Sequence, residues 1–146
     1  MQTLPILFPA TFVKRYKRFF ADVLDLQSNL VTVHCPNTGS MKHCQVEGAP
    51  CWYSLSDNPK RKLPGTLEIV TTTHGNLAGV NTIRANHLVR QAIDSQFIEE
   101  LTGYDQVKGE VPYGEEKSRI DFLLKDSTGR LRDCYLEVKN VTMDMG

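Results

Sequence analysis

The hydrophobic positions change period twice along the chain. From the start to about Val80 the apolar residues gather in short runs at positions 10–16, 19–26, 30–34, 51–55 and 66–73, and no run keeps a three- or four-residue step. Between them stand Pro36-Asn37-Thr38-Gly39, Glu47-Gly48, Ser56-Asp57-Asn58-Pro59 and Pro64-Gly65. These residues favour turns because Pro fixes φ, Gly admits positive φ, and Asn, Asp and Ser bond back to nearby backbone. Short strands with such punctuation predict a small barrel.

From Asn81 to Leu101 the step becomes helical, with Leu88, Val89, Ala92, Ile93, Phe97 and Leu101 three or four residues apart. That stripe predicts a helix packed on a core, started by Asn81 or Asn86 as cap and ended at Gly103. After Gly103 alternation returns over residues 107–113. Two further strands, 118–124 and 131–141, then flank the hairpin signal Asp126-Ser127-Thr128-Gly129-Arg130. The expected fold class is α+β: a β domain of residues 1–80, then residues 81–146 in the order helix, strand, strand, strand.

Composition narrows the function. The chain has 146 residues and no net charge, with 17 basic and 17 acidic side chains. Residues 1–80 hold eight Lys/Arg against five Asp/Glu, and residues 81–146 hold nine against twelve, so the halves carry +3 and −3. Attraction to a polyanion is therefore expected of the first half only. No apolar stretch is long enough to span a bilayer and the N-terminus lacks a secretory signal pattern, so the expected location is the cytoplasm, with no membrane partner. Cys35, Cys44, Cys51 and Cys134 form no C-x-x-C pair and read as reduced thiols. His34-Cys35, His43-Cys44 and Cys51 match no standard zinc spacing, so no zinc is expected. No small-molecule cofactor pattern is evident.

The sharpest chemistry lies in the last hairpin. A turn centred near Thr128–Gly129 places Asp121 opposite Leu136 or Glu137. Ile120, Phe122 and Leu124 then share one face with Leu136 and Val138, which leaves Asp121, Glu137 and Lys139 on the other. Two carboxylates so close repel unless a cation lies between them, and one lysine neutralises only one of them. Oxygen ligands with open positions suit Mg2+ or Mn2+, which polarise a phosphate and acidify a bound water while the lysine steadies developing charge. Asp121, Glu137 and Lys139 are therefore the candidate catalytic residues for phosphodiester hydrolysis. The candidate metal ligands are Asp121, Glu137 and Glu110, the last ranked ahead of Glu99 and Glu100. A solvated hairpin face with an ion pair is the plainer alternative, but these acids interrupt otherwise apolar strands.

The basic residues form two groups. Arg15, Lys17 and Arg18 surround Tyr16, next to Lys14 and Phe19-Phe20, and Lys60, Arg61 and Lys62 form the second cluster. Cations beside aromatic rings on a small barrel suit sequence-tolerant binding of nucleic acid. Strand alternation would put Arg15 and Lys17 on one side and Lys14, Tyr16 and Arg18 on the other. Arg119 is a further contact, positioned for phosphate or for pairing with Glu115 or Glu116. Asn37, Thr38 and Ser40 are a candidate phosphate loop, though an ordinary turn explains them at least as well.

Taken together, Arg15-Tyr16-Lys17-Arg18-Phe19, His34-Cys35-Pro36-Asn37-Thr38-Gly39-Ser40-Met41, Ser56-Asp57-Asn58-Pro59-Lys60-Arg61-Lys62, Ser118-Arg119-Ile120-Asp121-Phe122 and Glu137-Val138-Lys139-Asn140-Val141-Thr142 closely resemble the sugar fermentation stimulation protein A family. Asn81-Thr82, Ala85-Asn86 and Gly103-Tyr104 complete the likeness. The resemblance implies an OB-fold-like barrel joined to a PD-(D/E)XK nuclease-like α/β domain, with Ile120 where that name has proline. It also implies DNA binding with little sequence preference and a regulatory role in maltose metabolism. The nuclease-like core has another helix and strand after the E-x-K strand, so the second domain is expected to be incomplete at Gly146. Three readings remain: a metal-dependent nuclease, a DNA-binding regulator that keeps only the nuclease scaffold, and a protein-interaction module with an incidental ion pair.

Overall fold

The structure is a computed structural model that describes residues 5–37, 39–113 and 118–146. Thr38, Glu115 and Glu116 lie outside the described residues, and with them one member of the phosphate-loop candidate and both expected partners of Arg119. The chain divides into two compact units, one reaching Ile83 and taking in Asn140–Gly146, the other spanning Arg84–Lys139.

The first unit is built from β1 (Phe8–Tyr16), β2 (Phe20–Leu24), β3 (Leu30–His34), β4 (Pro50–Leu55), β5 (Gly65–Thr71) and β6 (Leu77–Gly79). They form one sheet in the order β3-β2-β1-β4-β5-β6. A parallel pairing of His34 with Thr66 joins β3 to β5 and closes the sheet into a barrel. Irregularities between Phe12 and Lys14 on β1 and between Trp52 and Tyr53 on β4 supply the bends that closure requires. At the seam only glycine fits: a Cβ on Gly65 would lie 2.7 Å from Val33 Cγ1. The interior holds Ala10, Phe12, Ala21, Val23, Val33, Leu67, Val70 and Val80. It also holds the free thiols Cys35, Cys44 and Cys51, and burial pushes the Cys51 thiol up to about 12. This is the OB-fold-like barrel. The short β6 has too few positions to show alternation, so the hydrophobic pattern does not predict it.

Helix α1 (Thr82–Asp94) opens the second unit's sequence. Asn81 Oδ1 accepts from the Ile83 amide at 3.2 Å, so Asn81 and not Asn86 is the cap. The helix is shorter than its stripe. Gln96 adopts φ 58°, Gln96 N–H bonds Ile93 O and Phe97 N–H bonds Ala92 O, the paired bonds of a Schellman stop. A left-handed non-glycine residue is disfavoured by about 1–2 kcal/mol, which hides this stop from the pattern. Phe97 is consequently 84% exposed; Leu88, within the helix, is 47% exposed and off the packed face, and Leu101 belongs to a separate 3-10 turn, Glu99–Leu101.

Strands β7 (Gln106–Tyr113), β8 (Ser118–Lys125) and β9 (Cys134–Leu136) follow as an antiparallel sheet in that order. Phe122 and Leu124 of β8 bury with Ile93 of α1, and Val89, Leu101, Tyr104, Val107, Cys134, Leu136 and Val138 pack around them. The β8–β9 turn is held by Asp126, whose carboxylate accepts from the amides of Thr128, Arg130 and Leu131, with Gly129 at φ 73°. No helix among the described residues is long and apolar enough to cross a membrane.

Candidate functional site

The register of the second sheet sets the geometry of the acids. Phe122 pairs with Leu136 in the last rung of the β8–β9 ladder, and Asp121 and Glu137 are the residues just beyond it. Residues directly opposite in an antiparallel pair share a face. Phe122 and Leu136 pack with Ile93 of α1, and Asp121 also reaches that helix, accepting from Asn86, while Lys139 lies in the field of both Asp121 and Glu137. Between the rungs Gly109–Phe122 and Val111–Ile120, Glu110 stands opposite Asp121 from β7. Glu110, Asp121 and Glu137 are therefore close in register on three neighbouring segments.

Each has its own environment. Asp121 is half-buried, with Oδ1 accepting from Asn86 Nδ2 at 3.0 Å and Oδ2 accepting from the Val138 amide at 2.7 Å. The second bond explains why β9 stops at Leu136: the next backbone donor turns to a side chain instead of the ladder. Glu137 is exposed and pairs through Oε1 with Lys139 Nζ at 2.8 Å. A hydrogen bond and the charge of Glu137, and then the charge of Asp121, hold the Lys139 ammonium above the ordinary lysine range. As it stands Lys139 is a cation and not a base. Glu110, at φ 50°, meets Arg119 at 3.8 Å, so Arg119 pairs with Glu110. Glu99 and Glu100 are exposed in the 3-10 turn. Among the described residues no three His, Cys, Asp or Glu side chains are gathered closely enough to hold a metal ion by themselves.

The basic residues of the barrel separate into two kinds. Arg15 is structural, donating to the carbonyls of Asn37 at 2.7 Å, Arg18 at 3.3 Å and Ser40 at 3.4 Å. Tyr16 stacks on Phe20 with ring centroids 5.5 Å apart and donates its hydroxyl to the buried Asp22, while Lys14 Nζ sits over the Tyr16 ring. β1 ends at Tyr16, so Lys17 and Arg18 do not continue the strand alternation. They form the exposed β1–β2 turn at φ 50° and 64°. Asn37 is buried, with Oδ1 taking the Gly39 amide and Nδ2 reaching Thr142 Oγ1. Its side chain thus serves as a turn brace, and Ser40 is exposed beside it.

Closure of the barrel makes a site that the sequence runs do not show. Phe19 and Phe20, His34, and Arg61, Lys62 and Leu63 line a shallow groove of ≈ 480 Å³. Phe19 is 49% exposed there. Arg61 donates to Thr66 Oγ1 at 3.0 Å, which ties the cationic loop to the seam. Burial, and then the charge of Arg61, holds His34 below the ordinary imidazole range, so it is a neutral ring at neutral pH. Lys60 is exposed on the same loop. Two residues of these candidate sites are not among the sequence's site candidates: His34, read there as a zinc candidate and part of the resemblance, and Asn86, read as a helix cap and part of the resemblance.

Comparison with known proteins agrees with both halves of this description. Residues 13–80 match the model of the SfsA N-terminal OB domain, and residues 83–146 match the sugar fermentation stimulation protein RE domain. Curated relatives, each a sugar fermentation stimulation protein homolog, include those of Pseudomonas fluorescens (52% identical over 143 residues), Teredinibacter turnerae (58% over 139) and Saccharophagus degradans (53% over 140). These alignments cover 95–98% of this chain and 58–59% of the relatives, so the chain spans less than two thirds of their length. The solved structure of Pyrococcus furiosus SfsA in complex with Ca2+ shares the fold, with a TM-score of 0.76 and 24% identity over 94% of this chain and 56% of that one. An OB-fold-like barrel followed by a small helix and sheet is the arrangement common to both. The chain belongs to the sugar fermentation stimulation protein family.

Proposed function

We propose that the protein binds DNA through the groove and turn of its barrel and carries, in its second unit, a Mg2+- or Mn2+-dependent site for phosphodiester hydrolysis. The observation that supports the second part is the grouping of Asp121 and Glu137 about Lys139, which is ion-paired with Glu137 and lies in the field of Asp121. Carboxylate oxygens are the donors a hard divalent cation prefers. Each carboxylate oxygen has two acceptor positions, so the bonds to Asn86 and Val138 leave Asp121 able to ligate. The donor set therefore fits, with two carboxylates from the chain and the remaining positions open to water and phosphate oxygens. The Pyrococcus furiosus protein was solved in complex with Ca2+, an ion of the same hard, oxygen-liganded class.

In this reading Asp121 and Glu137 hold the cation, and Glu110 is the reserve ligand once it parts from Arg119. A bound divalent cation supplies Lewis-acid polarisation of the phosphate and a water of lowered pKa. With a cation held by Asp121 and Glu137, Lys139 would face the substrate, where its ammonium would steady the charge gathering on phosphorus and orient the attacking water. Asn86 and the Val138 amide keep the Asp121 carboxylate in place.

For the barrel, cations at Lys17, Arg18, Lys60, Arg61 and Lys62 meet phosphates, and the Phe19 face offers a stacking surface. This combination serves many sequences because every base has a π-face. A second reading, a DNA-binding regulator without turnover, draws on the pairing of Glu137 with Lys139 and of Glu110 with Arg119, which already partly neutralises both acids. The maltose-linked regulatory role implied by resemblance fits either reading.

Incubation of the protein and its Glu137→Ala variant with DNA and RNA in Mn2+ separates them. Cleavage that falls about 100-fold or more in the variant is the expected result. Equal cleavage by both contradicts the assignment, and binding without cleavage by either selects the regulator.

A further inference from the structure

The helix contributes one polar contact to the acidic face. Asn86 lies on α1, 35 residues before Asp121, and its amide nitrogen donates to Asp121 Oδ1 at 3.0 Å. On the other carboxylate oxygen the Val138 backbone amide donates at 2.7 Å. Asp121 is thus gripped at both oxygens by donors from two different elements, and rotation of its carboxylate would break one or both bonds. Glu137 is held differently: it is exposed, and its ion-pair partner is the flexible Lys139.

We infer that Asn86 is a specificity-determining positioning residue, which fixes the Asp121 carboxylate so that the site favours a small octahedral cation over calcium. The inference rests on the cation reading above. Mg2+, and Mn2+ as its usual substitute, demand near-ideal octahedral geometry, whereas Ca2+ accepts six to eight oxygens in flexible arrangements. A carboxylate held in one orientation presents its oxygen at one fixed point. That suits an ion with strict angular demands and gives little to an ion that tolerates many angles. Outer-sphere partners of this kind typically contribute about 10- to 100-fold to metal affinity. Asn86 makes its contribution selectively because what it supplies is rigidity and not charge.

The test is calorimetric titration of Mn2+ and of Ca2+, separately, into the wild-type protein and Asn86→Ala, with thermal melts without metal as a measure of folding. The expected result is that Mn2+ affinity falls about tenfold or more while Ca2+ affinity changes less than about threefold, so the Mn2+ to Ca2+ preference drops. A merely structural role for Asn86 would weaken both ions by the same factor, and that outcome overturns the inference. So does unchanged affinity for both. Failure of the wild type to bind either ion overturns the cation reading itself, and is distinguished from these outcomes because it needs no variant. If Asn86→Ala does not melt cooperatively, Asn86→Ser, a small polar side chain too short to reach Asp121, is titrated and judged by the same criteria.

Discussion

Asp121→Ala is expected to abolish Mn2+ binding and also to lower the melting temperature measured without metal, and the two effects have separate causes. Loss of binding follows from removing one of two chain ligands. Loss of stability follows because Asn86 Nδ2 and the Val138 amide both donate to this carboxylate in a half-buried position. Leaving such donors unpartnered costs about 1–3 kcal/mol, toward the low end where water can enter. Glu137→Ala supplies the contrast. Its side chain is exposed and its ion pair with Lys139 lies at the surface, so stability should stay within about 0.5 kcal/mol of wild type while Mn2+ binding is lost. Calorimetric titration and thermal denaturation on the two variants check both statements. Wild-type Mn2+ affinity in either variant would remove that residue from the site.

The second large effect is expected in the barrel. Phe19→Ala should weaken binding of a single-stranded oligonucleotide by about 1–3 kcal/mol, roughly 5- to 150-fold, and duplex binding far less. Stacking on an exposed ring needs an unpaired base, whereas phosphate contacts are available in both forms. Arg61→Ala with Lys62→Ala should weaken both, and should reduce the slope of log affinity against log salt by about 0.7 per charge on single strands. Fluorescence anisotropy at several salt concentrations reads all of these. Arg15→Ala is the informative control, because its guanidinium bonds the carbonyls of Asn37, Arg18 and Ser40. It should act through folding of the loop, with the salt slope unchanged. If the Phe19 and Arg61/Lys62 variants bind as wild type does, the groove is not the interface.

The candidate acids are legible in the sequence as carboxylates that interrupt two apolar strands of one hairpin, whereas the contact of Asp121 with Asn86 on α1, the helix against which Phe122 and Leu136 pack, is not what period-two alternation alone predicts. The turn signal at Asp126, whose carboxylate holds the connection over residues 126–133, centres the hairpin so that the pairing is predicted to within a residue. The strands of the barrel are legible as short β-rich runs set off by turn residues. Features that depend on an unfavourable local choice are hidden. Gln96 stops α1 in a left-handed conformation where glycine is the usual signal, so the apolar stripe runs on to Phe97 and Leu101. β6 is three residues long. Sites made by distant segments are hidden as well: Phe19 and Arg61 meet only because β3 pairs with β5, and Asn86 reaches Asp121 only because α1 packs on the face of β8.

The arrangement of charges also explains the state of Lys139. While Glu137 holds it, the ammonium is locked to a carboxylate and raised above its ordinary range. In the proposed reading, a cation held by Asp121 and Glu137 would weaken the Lys139 ion pair and leave its ammonium available to the substrate.

A crystal structure in saturating Mn2+, with the ion located by its anomalous scattering, tests this arrangement most directly. The expected result is one strong peak bound by carboxylate oxygens of both Asp121 and Glu137, with Lys139 Nζ parted from Glu137. A peak bound elsewhere, or a Glu137 still closed on Lys139 beside an empty face, would contradict it.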